Sequence, residues 1–537
     1  MTTKGNPRLL RWIYGLLPVI LCASITAAAR VPPNILFILA DDMGFADAGC
    51  YGGEIATPNL DRLAAQGVRF TQFYNTARCW PTRAALLTGY YPQQTRMDPP
   101  RGPLPSWAHL LPHYLKPLGY RSYHSGKWHV QGAPRVLADG GFDRSYRLED
   151  HDHHFNPSNL WLDDRRLPPV AKGSNYYTTT AFADFMIGCL KDHSAKFPAQ
   201  PFFGYLAFTV PHFPLQAPPE DIARYREKYR AGWDVIRQAR YQRQVRMGLV
   251  KCPLSERESG ETPYWNLSAD QLRDQISPNE VAVACAWSDL SQQQQDFQAA
   301  KMAIHAAMID RMDREIGRVL DQLKRMGALE NTLVMFASDN GTSAELLNRG
   351  DMHDPASELG SGGSFLCLGP GWSTVGNTPF RMHKSWVHEG GISTPLIVQW
   401  PEGIKARGEF RHTPGHVIDI VPTLLEVAGG KVVPDPPFPG RSLVPALTKD
   451  VPISREFLYF HHENNHALLI GDWKLVSKRP RTNDYALYDL SHDRSEQFNL
   501  APNEPQRVAS MQQRWEQVEA EFRRIGGSWP PPAAIVK

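Results

Sequence analysis

Four uninterrupted apolar runs constrain this chain most. They lie at residues 34–40 (N-I-L-F-I-L-A), 202–210 (F-F-G-Y-L-A-F-T-V), 332–337 (T-L-V-M-F-A) and 395–400 (P-L-I-V-Q-W). A half-exposed strand alternates apolar and polar residues. A run with no polar side reads as a strand buried on both faces, as in a parallel sheet covered by helices. Helical patterns lie between the runs. Residues 59–66 have Pro58 ahead and Gly67 behind as start and stop signals. Residues 298–326 place Met302, Ile309, Met312, Ile316, Val319 and Leu323 at helical spacing. The alternation predicts a layered α/β domain around a large, mostly parallel sheet.

Past residue 455 the texture changes. Short segments (F-L-Y-F, A-L-L-I, W-K-L-V, A-L-Y-D-L) are parted by Gly471-Asp472 and Asn483-Asp484. They predict a smaller antiparallel sheet, with a closing helix over 505–524. A catalytic domain over 30–440 and a smaller one over 441–537 are expected. Residues 1–29 read as an address. Lys4, Arg8 and Arg11 precede an apolar stretch over 12–25 and then Thr26-Ala27-Ala28-Ala29, the order of a secretory signal peptide cut near Ala29. The mature protein is then exported, periplasmic or extracellular, with no stable membrane span. It keeps Cys50, Cys79, Cys189, Cys252, Cys285 and Cys367, too few for a disulfide-built fold. A net charge of +3, from 58 basic and 55 acidic residues, gives no bulk-charge case for a nucleic-acid partner. The Arg- and Tyr-rich stretch 224–246 is expected to present a solvated helix face. The Gly-, Ser- and Pro-rich stretch 342–386 is a loop region of a length usually tied to function.

In open α/β sheets, ligands bind beyond the carboxyl ends of the strands. The first run ends in Asp41-Asp42 and the third in Asp339-Asn340. An oxygen-only donor set suits a hard cation, Ca²⁺ or Mg²⁺, rather than zinc. Lys127 and His129 follow the segment 119–123, His212 follows the second run, and Lys384 precedes the fourth. Together they make a positive, proton-transferring wall suited to a tetrahedral oxyanion. The cluster His151-Asp152-His153-His154 is either a loop near substrate or a solvated turn. Trp107, Trp161, Trp265 and Trp372 either stack on a substrate ring or pack.

The sharpest motif is Cys79-Trp80-Pro81-Thr82-Arg83, followed by Ala84-Ala85-Leu86-Leu87-Thr88-Gly89. C-x-P-x-R should arise by chance only about 0.04 times in a chain of this composition. Pro81 suits a helix's first turn, which puts Cys79 at a helix N-terminus, where backbone N–H groups favour anions.

This motif resembles the signature of type I sulfatases, in which an enzyme oxidises the cysteine to formylglycine, an aldehyde. P-N-I-L-F-I-L-A-D-D-M-G resembles the family's opening strand, G-K-W-H its lysine and histidine segment, and S-D-N-G its second metal segment. G-G-E-I-A-T-P-N-L-D, P-H-F-P-L-Q-A-P and N-T-P-F-R-M-H-K-S-W-V-H-E-G-G resemble the arylsulfatase branch. Leu487-Tyr488-Asp489-Leu490 with Glu496 and Asn499-Leu500 resembles its C-terminal domain. The resemblance implies an alkaline-phosphatase-like fold that hydrolyses sulfate esters of aryl alcohols or carbohydrates. It implies one Ca²⁺ on Asp41, Asp42, Asp339 and Asn340, with an oxygen of the hydrated residue 79 near it. Arg83 would hold the hydrate, Lys127 and Lys384 the sulfate oxygens. His212, with Lys384, would assist the leaving oxygen, and His129 would take the second hydroxyl's proton. A formylglycine-generating enzyme is the implied maturation partner. Trp80 departs from the small residue frequent at its place, which bears on conversion and on the pocket mouth. Two other readings stand beside this one: a phosphonate or phosphate ester hydrolase on the same scaffold, and a non-catalytic exported protein with structural Ca²⁺.

Overall fold

In the computed structural model of the protein, residues 1–3, 5, 32–98, 102–149, 152–350, 352–478 and 481–527 are described, the side chains of 481–483 excepted. The leader expected over 1–29 lies almost wholly outside them, as does His151. The four apolar runs become neighbours in one ten-stranded sheet. Its order is Glu409–Arg411, Val68–Phe70, Leu396–Gln399, Thr332–Ser338, Asn34–Asp41, Phe202–Pro211, Arg121–Lys127, Arg144–Leu148, Leu160–Leu162 and Arg165–Arg166. Asn34–Asp41 runs parallel to both neighbours, with Ile38 beside Leu206 on one side and Phe336 on the other.

The strand's side chains show why the run is apolar throughout. Leu36, Ile38 and Ala40 enter one core, and Ile35, Phe37 and Leu39 enter a second core on the opposite face. The fourth run differs in direction: Leu396–Gln399 is antiparallel to Thr332–Ser338. A double-sided apolar run reports burial on both faces and carries no information on strand direction.

The long helix spans Gln292–Arg325, six residues earlier than its apolar period begins. Ser291 Oγ accepts from the Gln294 N–H, and Gln294 Oε1 accepts from the Ser291 N–H. This reciprocal cap starts the helix through a turn of four glutamines that carries no apolar stripe. The stretch 224–246 does present a solvated face, with Arg224, Arg226, Arg230 and Arg246 exposed, but the helix Trp233–Arg246 also turns arginines inward. Arg240 is fully buried, with Nε 2.8 Å from Glu54 Oε2 and NH1 2.7 Å from Asp47 Oδ1. Its acidic partners lie nearly two hundred residues away in sequence, so the local pattern shows only an arginine-rich helix.

A separate four-stranded antiparallel sheet follows: Leu458–His462, Asn465–Ile470, Trp473–Lys478 and Arg481–Asp489. The helix Pro505–Gly526 closes the chain's described part. Asn483 and Asp484, expected in a turn, fall inside the last strand. Pairing of Tyr485 with Ser477 and Ala486 with Val476 fixes that strand's register and overrides their turn preference. Lys474 ties this sheet to the preceding chain, its Nζ 2.9 Å from both Glu389 Oε1 and Glu496 Oε1, with all three side chains buried. Among the described residues, no helix is long and apolar enough to cross a membrane. Cys50, Cys189, Cys252, Cys285 and Cys367 are free thiols.

Candidate active site

The carboxyl ends of three adjacent strands carry the site. Asp41 closes Asn34–Asp41, Asp339 follows Thr332–Ser338, and His212 follows Phe202–Pro211. Strand alternation alone would send Asp41 and Asp42 to opposite faces. Asp42 instead has φ 66°, a left-handed conformation open to Asp, and its carboxylate joins that of Asp41. Ligand atoms of Asp41, Asp42 and His212 all lie within 4.8 Å of one another. Two glycines let backbones close in. Gly126 has φ 120°, and a Cβ there would sit 1.8 Å from Ala207 O; one at Gly341 would sit 1.8 Å from Gly390 O.

Each carboxylate has a cation beside it. Lys127 Nζ lies 2.6 Å from Asp41 Oδ2. Arg83 NH2 lies 2.8 Å from Asp339 Oδ2 and 3.5 Å from Asp41 Oδ2. Lys384 Nζ lies 3.0 Å from Asp42 and 3.1 Å from Glu345 Oε2. His212 Nε2 is 3.7 Å from Asp42 Oδ2, and its Nδ1 is 2.7 Å from Phe213 O. Asn340 Nδ2 donates to Asp42 Oδ1 at 2.6 Å, and the Asp42 N–H donates to Asp339 Oδ1 at 3.3 Å. All these groups are buried.

The carboxylates still carry unmet charge. Burial pushes Asp42 up to about 6, Asp41 and Glu345 adding to the rise against Lys384. Burial and Asp41 push Asp339 up to about 7 against Arg83. Asp41 Oδ1 and Asn340 Oδ1 are buried with no hydrogen-bond partner among the described residues. Buried oxygens left unpaired beside repelling carboxylates are the chemistry of a hard-cation site. Asp41, Asp42, Asp339 and Asn340 therefore fit a divalent cation.

Cys79 opens the helix Cys79–Thr88, buried along its whole length, with Arg78 as its cap residue. Thr82 Oγ1 ties the entry, 3.1 Å from the Thr76 N–H and 2.9 Å from Thr76 Oγ1. Burial opposes the charges of Arg83 and Lys384, yet their acidic partners outweigh it and hold both above the ordinary range. Arg83 lies on the helix that Cys79 opens, and Arg78, just before Cys79, donates from NH1 to Ser385 Oγ at 2.6 Å, which brings the helix start to the segment of Lys384. His129 is half-buried with φ 52°, its ring edge-on to Trp80 with centroids 5.8 Å apart. Trp80 also meets His462 at 5.4 Å and the Arg78 guanidinium at 5.2 Å. The structure thus gathers Asp41, Asp42, Asp339, Asn340, Cys79, Arg83, Lys127, His212 and Lys384, with His129 against Trp80, the residue after Cys79.

Of the histidine cluster, His154 is buried and lines a small cavity with Asp41, Thr209 and His212. Asp152 holds the turn, its Oδ2 accepting from the N–H groups of Ser158 and Asn159. Trp372 packs in a core against Tyr229 and Trp233, and Trp107 packs against Tyr90. Glu345 escaped the sequence reading. Its Oε1 accepts from Arg78 NH2 and Trp265 Nε1, each at 2.9 Å, while Oε2 meets Lys384. The only hint was an acid inside a Gly- and Ser-rich loop, six residues past Asp339.

A mixed sheet with helices on both faces, cationic groups around strand-end carboxylates and a helix N-terminus beside them define an alkaline-phosphatase-like hydrolase of anionic esters. The Sulfatase family model matches residues 33–430, and a model described as N-sulphoglucosamine sulphohydrolase, C-terminal, matches 380–522. An uncharacterized sulfatase of Schizosaccharomyces pombe is 33% identical over 548 residues, covering 91% of this chain and 94% of its own. The arylsulfatase of Klebsiella aerogenes is 32% identical over 447 residues, covering 76% of this chain and 90% of its own. A structure solved with its substrate D-glucosamine-2-N,6-O-disulfate has the same fold, at TM-score 0.66 and 20% identity over 92% of this chain and 98% of that one. The chain belongs to the sulfatase family and is a sulfuric ester hydrolase.

Proposed function

We propose that this protein is an exported sulfatase in which Cys79 is matured to formylglycine beside one Ca²⁺ held by Asp41, Asp42, Asp339 and Asn340. The observation that carries the reading is the placement of Cys79. It begins a buried helix that carries Arg83 and that is tied through Arg78 to Ser385, the neighbour of Lys384, and Arg83 and Lys384 pair with the strand-end carboxylates. Export rests on the order of residues 1–29, basic, then apolar, then small. The cation, when bound, supplies positive charge for the sulfate and the attacking oxygen. The hydrated aldehyde supplies that nucleophilic oxygen and a second hydroxyl that lets sulfate depart without water attacking sulfur.

The side chains then divide the work. Lys127 and Lys384 face the sulfate oxygens and offset charge that grows in the transition state. Arg83, fixed by Asp339 and by the Lys127 carbonyl at 2.9 Å, orients residue 79. His212 donates a proton to the leaving alcohol oxygen as the S–O bond breaks, with Lys384 beside the same carboxylate. His129 takes the proton whose loss releases sulfate. The test is peptide mass spectrometry of residue 79 in protein made with a formylglycine-generating enzyme, alongside sulfate release. The expected result is a residue lighter than cysteine, and Cys79→Ala protein that folds yet releases no sulfate. A persistent thiol in protein that still turns over would overturn the mechanism.

A further inference from the structure

Trp80 directly follows Cys79 in the first turn of the helix Cys79–Thr88, and it is buried. Three groups meet its ring. The Arg78 guanidinium lies 5.2 Å from its centroid, and the rings of His462 and His129 stand edge-on at 5.4 and 5.8 Å. Two of the three are fixed from behind by hydrogen bonds. Arg78 donates to Ser385 Oγ and to Glu345 Oε1. His462 Nδ1 lies 2.9 Å from Asp98 Oδ1, and Asp98 Oδ2 accepts from Gln93 Nε2 at 3.1 Å. Gln93 Nε2 also donates to His461 O at 2.9 Å, which ties the pair to the strand that carries His462.

Asp98 and His462 are both buried. A buried acid and imidazole gain little stability over apolar packing, because both leave water. What such a pair supplies is one fixed ring orientation, set by the bond at Nδ1. Here the ring so fixed bears on Trp80. The other imidazole, His129, has a left-handed backbone, φ 52°, uncommon for a residue with a side chain. Backbone of that kind persists where the surroundings determine it, and it collects at functional sites. His129 stands two residues past Lys127, whose carbonyl accepts from Arg83 NH1 at 2.9 Å and whose Nζ pairs with Asp41. The backbone of that segment is thus anchored to the carboxylate cluster, and the His129 ring meets the Cys79–Arg83 motif at Trp80. Tryptophan offers a large rigid face with only two side-chain torsions to fix.

We infer that Trp80 is a positioning residue for sulfate release: it sets the orientation of the His129 ring, and the buried Asp98–His462 pair sets Trp80. The inference rests on the sulfatase reading, in which His129 takes the proton whose loss releases sulfate. Its test uses protein with residue 79 shown converted by mass spectrometry, and 4-nitrophenyl sulfate carrying radiolabelled sulfur. In a single turnover, Trp80→Ala and His462→Ala should each leave 4-nitrophenol release within about threefold of wild type and slow the loss of label from the protein about tenfold or more. His462 lies outside the Cys79–Arg83 motif, so its variant reads the effect independently of how well Trp80→Ala is converted. Trp80→Phe, which keeps an aromatic edge, should recover most of the loss. Crystals of unconverted protein give a readout apart from turnover: the His129 ring should take more than one rotamer in Trp80→Ala and a single one in wild type. Equal slowing of both steps, or an unchanged His129 rotamer in Trp80→Ala, would overturn the positioning role and leave the sulfatase reading standing. Converted wild type that releases no 4-nitrophenol would overturn both.

Discussion

Lys127 Nζ lies 2.6 Å from Asp41 Oδ2, while the other oxygen of that carboxylate, buried, meets no hydrogen-bond donor among the described residues. One half of the group is neutralised, and the other half is a buried oxygen of the kind a hard cation takes. Chelation should therefore lower the melting temperature, and Ca²⁺ should restore it better than Zn²⁺, because the donors are oxygens. At a free concentration a hundredfold above Kd the gain is about 2.7 kcal/mol, a shift of a few degrees in differential scanning calorimetry. Zn²⁺ restoring more than Ca²⁺ would refute the donor assignment.

The same carboxylates fix the sign of a pH effect. Asp42 and Asp339 are raised from 3.8 to about 6 and about 7 in the folded protein. A raised acid binds more protons folded than unfolded, so its contribution is present at low pH and lost as pH rises through the folded value. In chelator, the melting temperature should fall between about pH 4 and pH 7. Saturating Ca²⁺ should flatten that fall, since ligands held by a cation are already deprotonated. A chelated protein whose stability climbs across that window would contradict the crowding of the carboxylates.

His212 presents Nε2 toward Asp42 while Nδ1 lies against a backbone carbonyl. A ring held in that way is poised to give a proton from one nitrogen. His212→Ala should lower kcat about a hundredfold or more on alkyl sulfates, within the usual reach of general acid catalysis, and by far less on 4-nitrophenyl sulfate, whose phenol leaves unaided. Equal losses on both esters would move the proton transfer to another group.

The strands and the polar residues at their ends were legible because each has a local signature. A double-sided apolar run marks a buried strand, and Asp41-Asp42 and Asp339-Asn340 sit where such runs stop. The direction of Leu396–Gln399, the early start of Gln292–Arg325 and the burial of Arg240 were not legible. Each depends on partners remote in sequence or on a cap of polar residues outside the apolar period. Glu345 belongs with these. Its role comes from Arg78, Trp265 and Lys384, three segments that only the fold assembles.

Glu345→Gln follows from that assembly. The substitution keeps shape and removes the charge that holds Lys384 and Arg78 in place. Lys384 would keep Asp42 alone, and Arg78 would lose its carboxylate partner. The expected result is a loss of tenfold or more in kcat/KM on aryl and sugar esters alike, as for other residues that orient active-site groups through one bond. Glu345→Asp, which restores charge at a shorter reach, should recover part of it. Full activity in Glu345→Gln protein would show that Asp42 suffices to place Lys384.

Asp47 and Arg240 give the last prediction, away from the chemistry. Both side chains are fully buried and lie 2.7 Å apart, with His305 Nε2 3.5 Å from the second Asp47 oxygen. Burial raises an acid, yet Arg240 and His305 outweigh it and hold Asp47 down from 3.8 to about 2. A depressed acid contributes stability above its unfolded value and loses it as pH falls through the folded one. The contribution is about 2 kcal/mol at neutral pH. Asp47→Asn should destabilise by about 3 kcal/mol, the low end for a broken buried pair, because Glu54 still accepts two bonds from Arg240. Between pH 5 and pH 3 the wild type should lose about 1 kcal/mol more than the variant. Urea unfolding at the two pH values reads the difference, and curves that stay parallel would mean that Asp47 is not held ionised by Arg240.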